Sequence, residues 1–418
     1  MQATARFLTL FRETKKELIP KISGQKNFDK EKKSRVVVPD LPRWATGNRP
    51  SFAERLPDER WSITILVPAF NEEESIADTI RSLLEQTAYQ DYCANGAQFD
   101  IIVVDDCSKD RTGDIAKELG VRVIRTPKNT GKKSSGLNYA LQFVNTQLLC
   151  IVDADTTLAS NAVEKLLPYF NDEKTGAVCG FVLVQNKDAL GLGRQVEYCA
   201  GLPVLKGAQS NTNGMVVANG CFSIYRMDFV KKSEVFTLPS RAEDMYLTFL
   251  MIMHGLKVYC EPMALCYAKE PTNLKMLKTQ LIRWKEGFHE NVHRAFWDIV
   301  RAKRFSLLYF IVSAYYDALY IPAVAIWLFF SQSMAMKAMP ERIATVAVSM
   351  FLLLVFGDIL IAWPVAIVQG VRLGIGSEIM KGVFVYPFMR VYNMAFFVTT
   401  FFNVFIFKKT DTTWGKGH

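Results

Sequence analysis

The sequence lacks the features of a disulfide-stapled, zinc-binding or repetitive protein. Its eight cysteines form no C-x-x-C pair and no cysteine–histidine spacing typical of a metal site. No internal repeat with a period of about 20–50 residues is present. Several cysteines lie in apolar, strand-like runs, so we predict buried free thiols facing a reducing compartment.

Long apolar runs are nearly absent from residues 1–304, which carry most of the charge, and are frequent after Phe305. Half of the 418 residues are hydrophobic and the mean hydropathy is +0.09. That value is high for a soluble protein and low for one that is mostly transmembrane. We therefore expect a water-soluble domain followed by a membrane domain.

The N-terminus has no uninterrupted apolar segment and no small-residue cleavage site, so it is not predicted to be a signal peptide. Apolar and basic residues alternate from Phe7 to Lys16, a pattern typical of a basic amphipathic helix on a membrane surface. Prolines then interrupt the polar stretch that follows. We expect residues 1–60 to form an amphipathic and irregular arm.

The net charge of +9 suits an acidic membrane surface or an anionic substrate. The apolar segments after Phe305 favour these partners, and we expect no nucleic acid. From Trp61, short apolar strands at about 62–68, 99–104 and 148–152 alternate with amphipathic helices. This alternation predicts an α/β fold with a parallel sheet covered on both faces, in which ligands bind beyond the carboxyl ends of the strands.

Polar clusters follow these three strands. The clusters are Pro68-Ala69-Phe70-Asn71-Glu72, Asp105-Asp106-Cys107-Ser108 and Asp153-Ala154-Asp155. Two carboxylates spaced by one residue can face a hard divalent cation and share it with a diphosphate. A D-x-D motif taken alone is more often a solvated turn. Here it follows a strand, as the two other polar clusters do, and this shared position favours a metal site.

Seven motifs in order resemble the processive, membrane-embedded members of the family 2 inverting glycosyltransferases, which include hyaluronan, chitin, cellulose and poly-N-acetylglucosamine synthases. The motifs are ILVPAFNEEESI, VVDDCSKDRTGDI, NTGKKSSGLNYAL, VDADT, VVANGCFSIYR, AEDMYLT and QLIRW, and the match runs roughly from Ser62 to Glu290. The resemblance implies a GT-A catalytic domain, which is nucleotide-sugar-binding and Rossmann-like, followed by an α-helical membrane domain. We assign residues 61–270 to the GT-A domain, 271–304 to amphipathic interfacial helices and 305–407 to the membrane domain.

The resemblance also implies how a UDP-sugar donor is held. Asp105 and Asp106 would bind the uracil and ribose, since carboxylates accept from imide N–H and hydroxyl groups. Asp155, with Asp153 beside it, would bind Mg²⁺ or Mn²⁺ against the diphosphate. Lys132 would meet donor oxygens; the alternative is a surface lysine, a description that also fits its neighbour Lys133. The full donor-binding set is Pro68, Asn71, Glu72, Asp105, Asp106, Lys132 and Asp153.

The acidic pair Glu243-Asp244 begins a predicted helix and matches the pair whose aspartate is the base in the family. Direct displacement at an anomeric carbon requires a group that takes the proton of the acceptor hydroxyl, and we assign Asp244 to that task with Glu243 beside it. Acidic residues are also common at helix N-termini for capping and dipole reasons alone. Without the other motifs, that second interpretation would be preferred.

Gln280, Arg283 and Trp284 share one face of a predicted helix, which can present a guanidinium to the diphosphate and an indole to a sugar ring. The basic and leucine residues around them also fit an amphipathic interfacial helix, and the two interpretations are compatible. Trp414, in a W-G-K-G sequence similar to the terminal W-G-T-R of hyaluronan synthases, lacks the arginine of that signature. The expected acceptor and diphosphate set is Gly220, Gln280, Arg283, Trp284 and Trp414.

The apolar segments predict membrane spans at about 306–330 and 343–369. A third segment, 384–407, contains Arg390 and two asparagines and fits a crossing or a re-entrant or interfacial element equally. Nucleotide-sugars are cytosolic, so we expect the catalytic domain and the tail at 408–418 on the cytoplasmic side of the plasma membrane. The ionisable groups Asp317, Asp358 and Arg390 predict either a structural ion pair or a sugar-conducting path.

Together these patterns predict an inverting, metal-dependent enzyme that adds sugar from a UDP-sugar, with UDP-N-acetylglucosamine or a related hexose favoured, to a β-linked polymer. The alternatives are a non-processive transferase acting on a lipid-linked acceptor and a catalytically silent, lectin-like scaffold. The small number of spans leaves open a homo-oligomer, an accessory secretion subunit or a short product.

Overall fold

The computed structural model describes residues 61–237, 240–316 and 355–407, together with 318, 348, 349 and 352. The arm predicted at 1–60, the tail at 408–418 with Trp414, and parts of the first two predicted spans lie outside the described residues.

The described part is organised around a mixed sheet of eight strands in the order β3-β2-β1-β4-β7-β6-β8-β5. Strands β3, β2, β1 and β4 are parallel, as the sequence pattern predicts. The parallel prediction is wrong beyond β4, because β7 returns antiparallel between β4 and β6 and β5 lies antiparallel on β8. The strands are β1 Ile63–Ala69, β2 Phe99–Asp105, β3 Arg122–Arg125, β4 Leu148–Val152, β5 Thr156–Leu158, β6 Thr175–Val184, β7 Phe222–Arg226 and β8 Lys257–Ala268.

The parallel half of the sheet is buried on both faces because its strands are apolar at nearly every position. In β1, Ile65 and Val67 pack into one hydrophobic cluster while Leu66 packs into a second cluster on the other face. Helices cover both clusters, which leaves the loops at the carboxyl ends of β1, β2 and β4 free to form a site. The helices of this domain are α1 Ile76–Leu84, α2 Thr87–Ala94, α3 Thr112–Glu118, α4 Lys133–Ala140, α5 Ala162–Leu166, α6 Ala189–Asn211, α7 Met227–Ser233 and α8 Glu243–Met253.

The amphipathic segment predicted after the sheet is one long helix, α9, Leu274–Arg301. Asn273 caps it, since its side-chain Oδ1 accepts the N–H of Met276 at 3.0 Å. Leu277 and Leu281 on its apolar face pack against Met389 further along the chain. The remaining helices are α10 Phe305–Tyr316, α11 Trp363–Arg372, α12 Gly376–Gly382 and α13 Tyr386–Phe401.

Two helical segments, Val355–Arg372 and Tyr386–Ile406, are long and apolar enough to cross a membrane by length and composition. Each contains one π-helical turn, at Asp358–Ala362 and Phe402–Ile406. The Arg390 guanidinium donates to the buried Asp358 carboxylate, so these two ionisable groups form an ion pair between the segments.

All eight cysteines are free thiols, in agreement with the sequence prediction. The prediction that the cysteines are buried is wrong for Cys93, which is exposed. Cys150, Cys179, Cys199 and Cys266 are buried. The reason is local, since Ala88 and Tyr92 form the inward face of α2 and Cys93 follows on the outward face.

Candidate active site

An open cleft with about 950 Å³ of empty volume lies at the carboxyl ends of β1, β2 and β4. It is closed on one side by α9, which contributes Met276, Gln280 and Arg283. The structure thus places eight of the expected site residues in one cavity. They are Pro68, Glu72, Asp106, Lys132, Asp153, Asp155, Gln280 and Arg283.

The D-x-D carboxylates lie in this cleft because β4 ends at Val152 and the chain turns at once into β5. The turn is fixed by the N–H of Asp153, which donates to the Cys221 carbonyl at 3.2 Å, and by the N–H of Thr156, which donates to the Asp153 carbonyl at 3.1 Å. Burial, reinforced by the neighbouring charge of Asp153, raises the pKa of Asp155 to about 6. Two carboxylates that repel each other at a cleft wall are suited to a divalent cation.

The donor set of this carboxylate pair fits Mg²⁺ or Mn²⁺, whose preferred ligands are oxygens. Within the described ranges, no group of three or more histidine, cysteine, aspartate or glutamate side chains could hold a metal ion. Asp153 and Asp155 are the side chains of this wall that could hold such an ion.

Lys133 is a site residue that sequence reasoning missed, since the sequence favours Lys132 as the donor contact. The Lys133 ammonium donates to the Asp153 carboxylate and to the Gly220 carbonyl, the latter at 2.8 Å, and its side chain is 18% exposed. Burial alone would lower its pKa, but the carboxylates of Asp153, Glu243 and Asp244 raise it well above its ordinary value, so the ammonium stays charged.

The position of Lys133 in α4 was the signal that could have identified it. Gly136, Leu137 and Ala140 are buried, and they lie three, four and seven residues after Lys133. These spacings place Lys133 on the inward face of the helix, so its side chain points toward the sheet. Lys132 precedes the helix and also lines the cleft.

The acidic pair lies in a second, smaller cavity of about 210 Å³ that shares Lys133 with the cleft. Glu243 and Asp244 form the first turn of α8, and the Asp244 carboxylate accepts the backbone N–H of Met245 at 2.8 Å. A β-carbon at Gly220 would lie 2.8 Å from the Asp244 carboxylate, so the glycine permits this close approach. Burial raises the pKa of Asp244, and burial together with the Asp244 charge raises that of Glu243 to about 7.

Asp105 and Asp106 have different surroundings although they are adjacent. Asp105 is 1% exposed, forms an ion pair with Arg125 at 2.5 Å and accepts the N–H of Ser108 at 2.8 Å, so it holds the loop after β2. Asp106 lines the cleft, where its carboxylate accepts from the hydroxyl of Thr130 at 2.8 Å.

Asn71 is exposed at the same edge of the sheet and joins two loops. Its N–H donates to the Ser108 hydroxyl at 3.0 Å, and its side-chain oxygen accepts the N–H of Lys109 at 2.8 Å. Neither Asn71 nor Asp105 is among the residues that line the cleft. Their contacts hold together the loops after β1 and β2.

Trp284 lies beyond the cleft lining and stacks on a buried cation. The Arg194 guanidinium lies 5.2 Å from the indole ring, and Arg194 itself is 1% exposed. The Arg194 guanidinium forms ion pairs with two carboxylates, at 2.5 Å to Glu197 and 3.3 Å to Glu270. The indole, 36% exposed, therefore presents its remaining surface from a fixed position.

Comparison with known proteins agrees with this geometry. Residues 64–233 match the family model for glycosyl transferase family 2. The chain is 26% identical over 277 residues to a poly-beta-1,6-N-acetyl-D-glucosamine synthase of Staphylococcus aureus, and the match covers 65% of each chain. A synthase of the same name from Staphylococcus epidermidis is 26% identical over 251 residues, which is 59% of each chain. The chain thus spans less than two thirds of the length of these relatives.

A solved mannosyltransferase from Pyrobaculum calidifontis, in complex with GDP-Man and Mn²⁺, aligns with 88% of this chain and 93% of its own. The TM-score is 0.54 and the sequence identity 16%, so this likeness concerns the fold. The sheet and the clustered motifs agree with these comparisons: residues 64–233 match the glycosyl transferase family 2 model, and the sequence likeness of the chain is to synthases of this type.

Proposed function

We propose that this protein transfers a sugar from a UDP-sugar, with UDP-N-acetylglucosamine as the first candidate, to the end of a growing β-linked polysaccharide. One observation carries the proposal: Lys133 links the D-x-D cleft to the cavity of the acidic pair through Asp153 and Gly220. A donor diphosphate in the cleft would then lie beside the carboxylate that takes the acceptor proton. The names of the staphylococcal relatives support N-acetylglucosamine as the sugar.

The donor would enter with its diphosphate between the D-x-D pair and α9. Asp106 would read the nucleoside, while Arg283 and Lys132 would contact diphosphate oxygens. A divalent cation held by Asp153 and Asp155 would neutralise the charge that develops on the leaving diphosphate. Lys133, fixed by its two contacts, would place a permanent positive charge at the same wall.

Asp244 would act as the general base. The acceptor hydroxyl oxygen forms a bond to the anomeric carbon, the bond from that carbon to the diphosphate oxygen breaks, and the electron pair leaves with UDP. The hydroxyl proton passes to the Asp244 carboxylate. Burial raises the pKa of Asp244, which makes the carboxylate a better proton acceptor than a solvated aspartate. A single displacement inverts the anomeric configuration.

Trp284, held on Arg194, would stack on the sugar ring at the acceptor end, since an indole face suits the apolar face of a pyranose. The two long apolar segments would anchor the enzyme in the plasma membrane with the catalytic domain on the cytoplasmic side. The acceptor is then a membrane-proximal glycan. Assembly with a second copy or an accessory secretion subunit is compatible with this arrangement.

The proposal is tested with membranes that contain the full-length protein, a panel of radiolabelled UDP-sugars, and Mn²⁺ or Mg²⁺. We expect label from one UDP-sugar to enter a ladder of oligosaccharides, and Asp244→Asn to slow its formation by about 10²–10⁴-fold while UDP binding persists. A single labelled sugar on a lipid would favour the non-processive alternative. Absence of transfer from every donor would contradict the proposal.

A further inference from the structure

Helix α9 contacts the loop that precedes the acidic pair through one buried side chain. Asn291 is fully buried; its amide nitrogen donates to the Ala242 carbonyl at 2.8 Å and its oxygen accepts from the Ser240 hydroxyl at 2.9 Å. The Ser240 oxygen in turn accepts the N–H of Ala242 at 3.2 Å. These three groups close a ring of hydrogen bonds around Ala242, the residue immediately before the acidic pair.

Ala242 is the residue from which α8 starts. Its carbonyl accepts the N–H of Tyr246 at 3.2 Å, the first bond of the helix, and shares that oxygen with Asn291. The next two residues are Glu243 and Asp244. A displacement of Ala242 would therefore move the Asp244 carboxylate relative to Lys133 and Gly220.

The packing around Asn291 confirms that the two elements approach closely. Gly287 lies one helical turn before Asn291 on the same face of α9, and a β-carbon there would lie 2.8 Å from the Ala242 β-carbon. Arg241, on the other side of Ala242, pairs with Glu286 and lies 3.8 Å from Glu290. The loop is thus held by packing, by charge and by the bonds to Asn291.

We propose that Asn291 is a positioning residue that sets the place of the Asp244 carboxylate at the reacting centre. Because α9 also carries Gln280 and Arg283 into the donor cleft, the same helix then aligns the donor diphosphate and the base. This inference rests on the proposed function. Asn291 does not touch either substrate; it acts through Ala242.

The test is a double-mutant cycle in the full-length protein, with initial transfer rates measured for the native chain, Asn291→Ala, Asp244→Asn and the double variant. We expect Asn291→Ala to lower kcat by about 10–10²-fold, as small misplacements of catalytic groups do. KM for the donor and the affinity for UDP should stay within about twofold of native, since the cleft is intact. In the Asp244→Asn variant, Asn291→Ala should not lower kcat further, because the carboxylate that Asn291 positions is no longer present.

His289→Ala supplies the matched control. His289 is buried two residues earlier on the same helix, where it bonds the Tyr315 hydroxyl at 2.9 Å and the Phe397 carbonyl at 3.2 Å, away from the base loop. Any fold-loss of kcat that His289→Ala causes should be the same in the native chain and in the Asp244→Asn variant. Ser240→Ala is the milder second variant if Asn291→Ala does not accumulate in membranes, and it should show the same dependence on Asp244 at a smaller fold-change.

Equal fold-losses for Asn291→Ala, or for Ser240→Ala, with and without Asp244 would overturn the inference, since a merely structural role predicts them. A native kcat in both Asn291→Ala and Ser240→Ala would also overturn the inference. Failure of the proposed function gives a different result, because then the native chain transfers no sugar at all.

Discussion

Replacing Lys133 by methionine removes the ammonium that contacts both Asp153 and the Gly220 carbonyl while keeping most of the side-chain volume. Breaking a buried ion pair costs about 3–5 kcal/mol of folding stability. The Asp153 side chain is 34% exposed, so solvent screening should reduce the loss to about 2 kcal/mol.

The effect on catalysis should be larger than the effect on stability. In the proposed site Lys133 would place charge beside the diphosphate and the base, and removal of one such preorganised donor lowers kcat by about 10²–10³-fold. Its charge also lowers the pKa of Asp155, Glu243 and Asp244, so its loss should raise all three. Because the base acts in its ionised form, the acid limb of the rate should move to higher pH.

The assay is transfer from labelled UDP-sugar by purified protein, measured across pH, with Lys132→Met as the matched control. Lys132 lines the same cleft but precedes α4, so we expect its loss to weaken donor binding with a smaller effect on kcat. An Lys133→Met rate within about threefold of native, or a larger kcat loss for Lys132→Met, would refute the role assigned to Lys133.

Three further predictions follow from the site. Asp155→Asn should abolish transfer and weaken UDP binding in Mn²⁺, measured by titration calorimetry, and undiminished activity would exclude the metal assignment. The kcat of the native enzyme should fall on the acid side at a pH above the ordinary carboxyl range of about 4, because burial raises the pKa of Asp244, the group that must be ionised; an acid limb at about pH 4 would contradict this. Arg194→Met should leave Glu197 and Glu270 without their cation and Trp284 without the guanidinium beneath it, so we expect a lower thermal midpoint of unfolding. Chain extension should become slower while UDP affinity is retained. An unchanged extension rate would exclude Trp284 from the acceptor site.

The strands that hold the site could be predicted from the sequence because their signal is local. Continuous β-branched and apolar runs placed β1, β2 and β4 within about a residue of their observed bounds, since only a strand buried on both faces has such a composition. Glu72, Asp106, Asp153 and Asp155 at their ends then fell into one cleft, as the geometry of parallel strands requires.

The rest of the sheet depends on pairing between distant segments. Residues 175–184 of β6 pair with 257–268 of β8, and the chain between them contains α6, β7, α7 and α8. No local pattern states which strands will meet after such a connection, so the antiparallel half was not anticipated.

The same limit applies within the site. The choice between Lys132 and Lys133 turns on which residue begins α4, a boundary that sequence patterns fix poorly. The contacts of Asn291 with Ser240 and Ala242 join residues about 50 positions apart and leave no mark in the sequence.

In the proposed function this protein builds a β-linked polymer by direct displacement from a nucleotide-sugar. The most direct measurement is nuclear magnetic resonance and mass spectrometry of the product made from ¹³C-labelled UDP-N-acetylglucosamine by the native protein in membranes. We expect chains of several sugars whose labelled anomeric carbons are all in the β configuration. Products with α linkages, or a single sugar added to each acceptor, would contradict it.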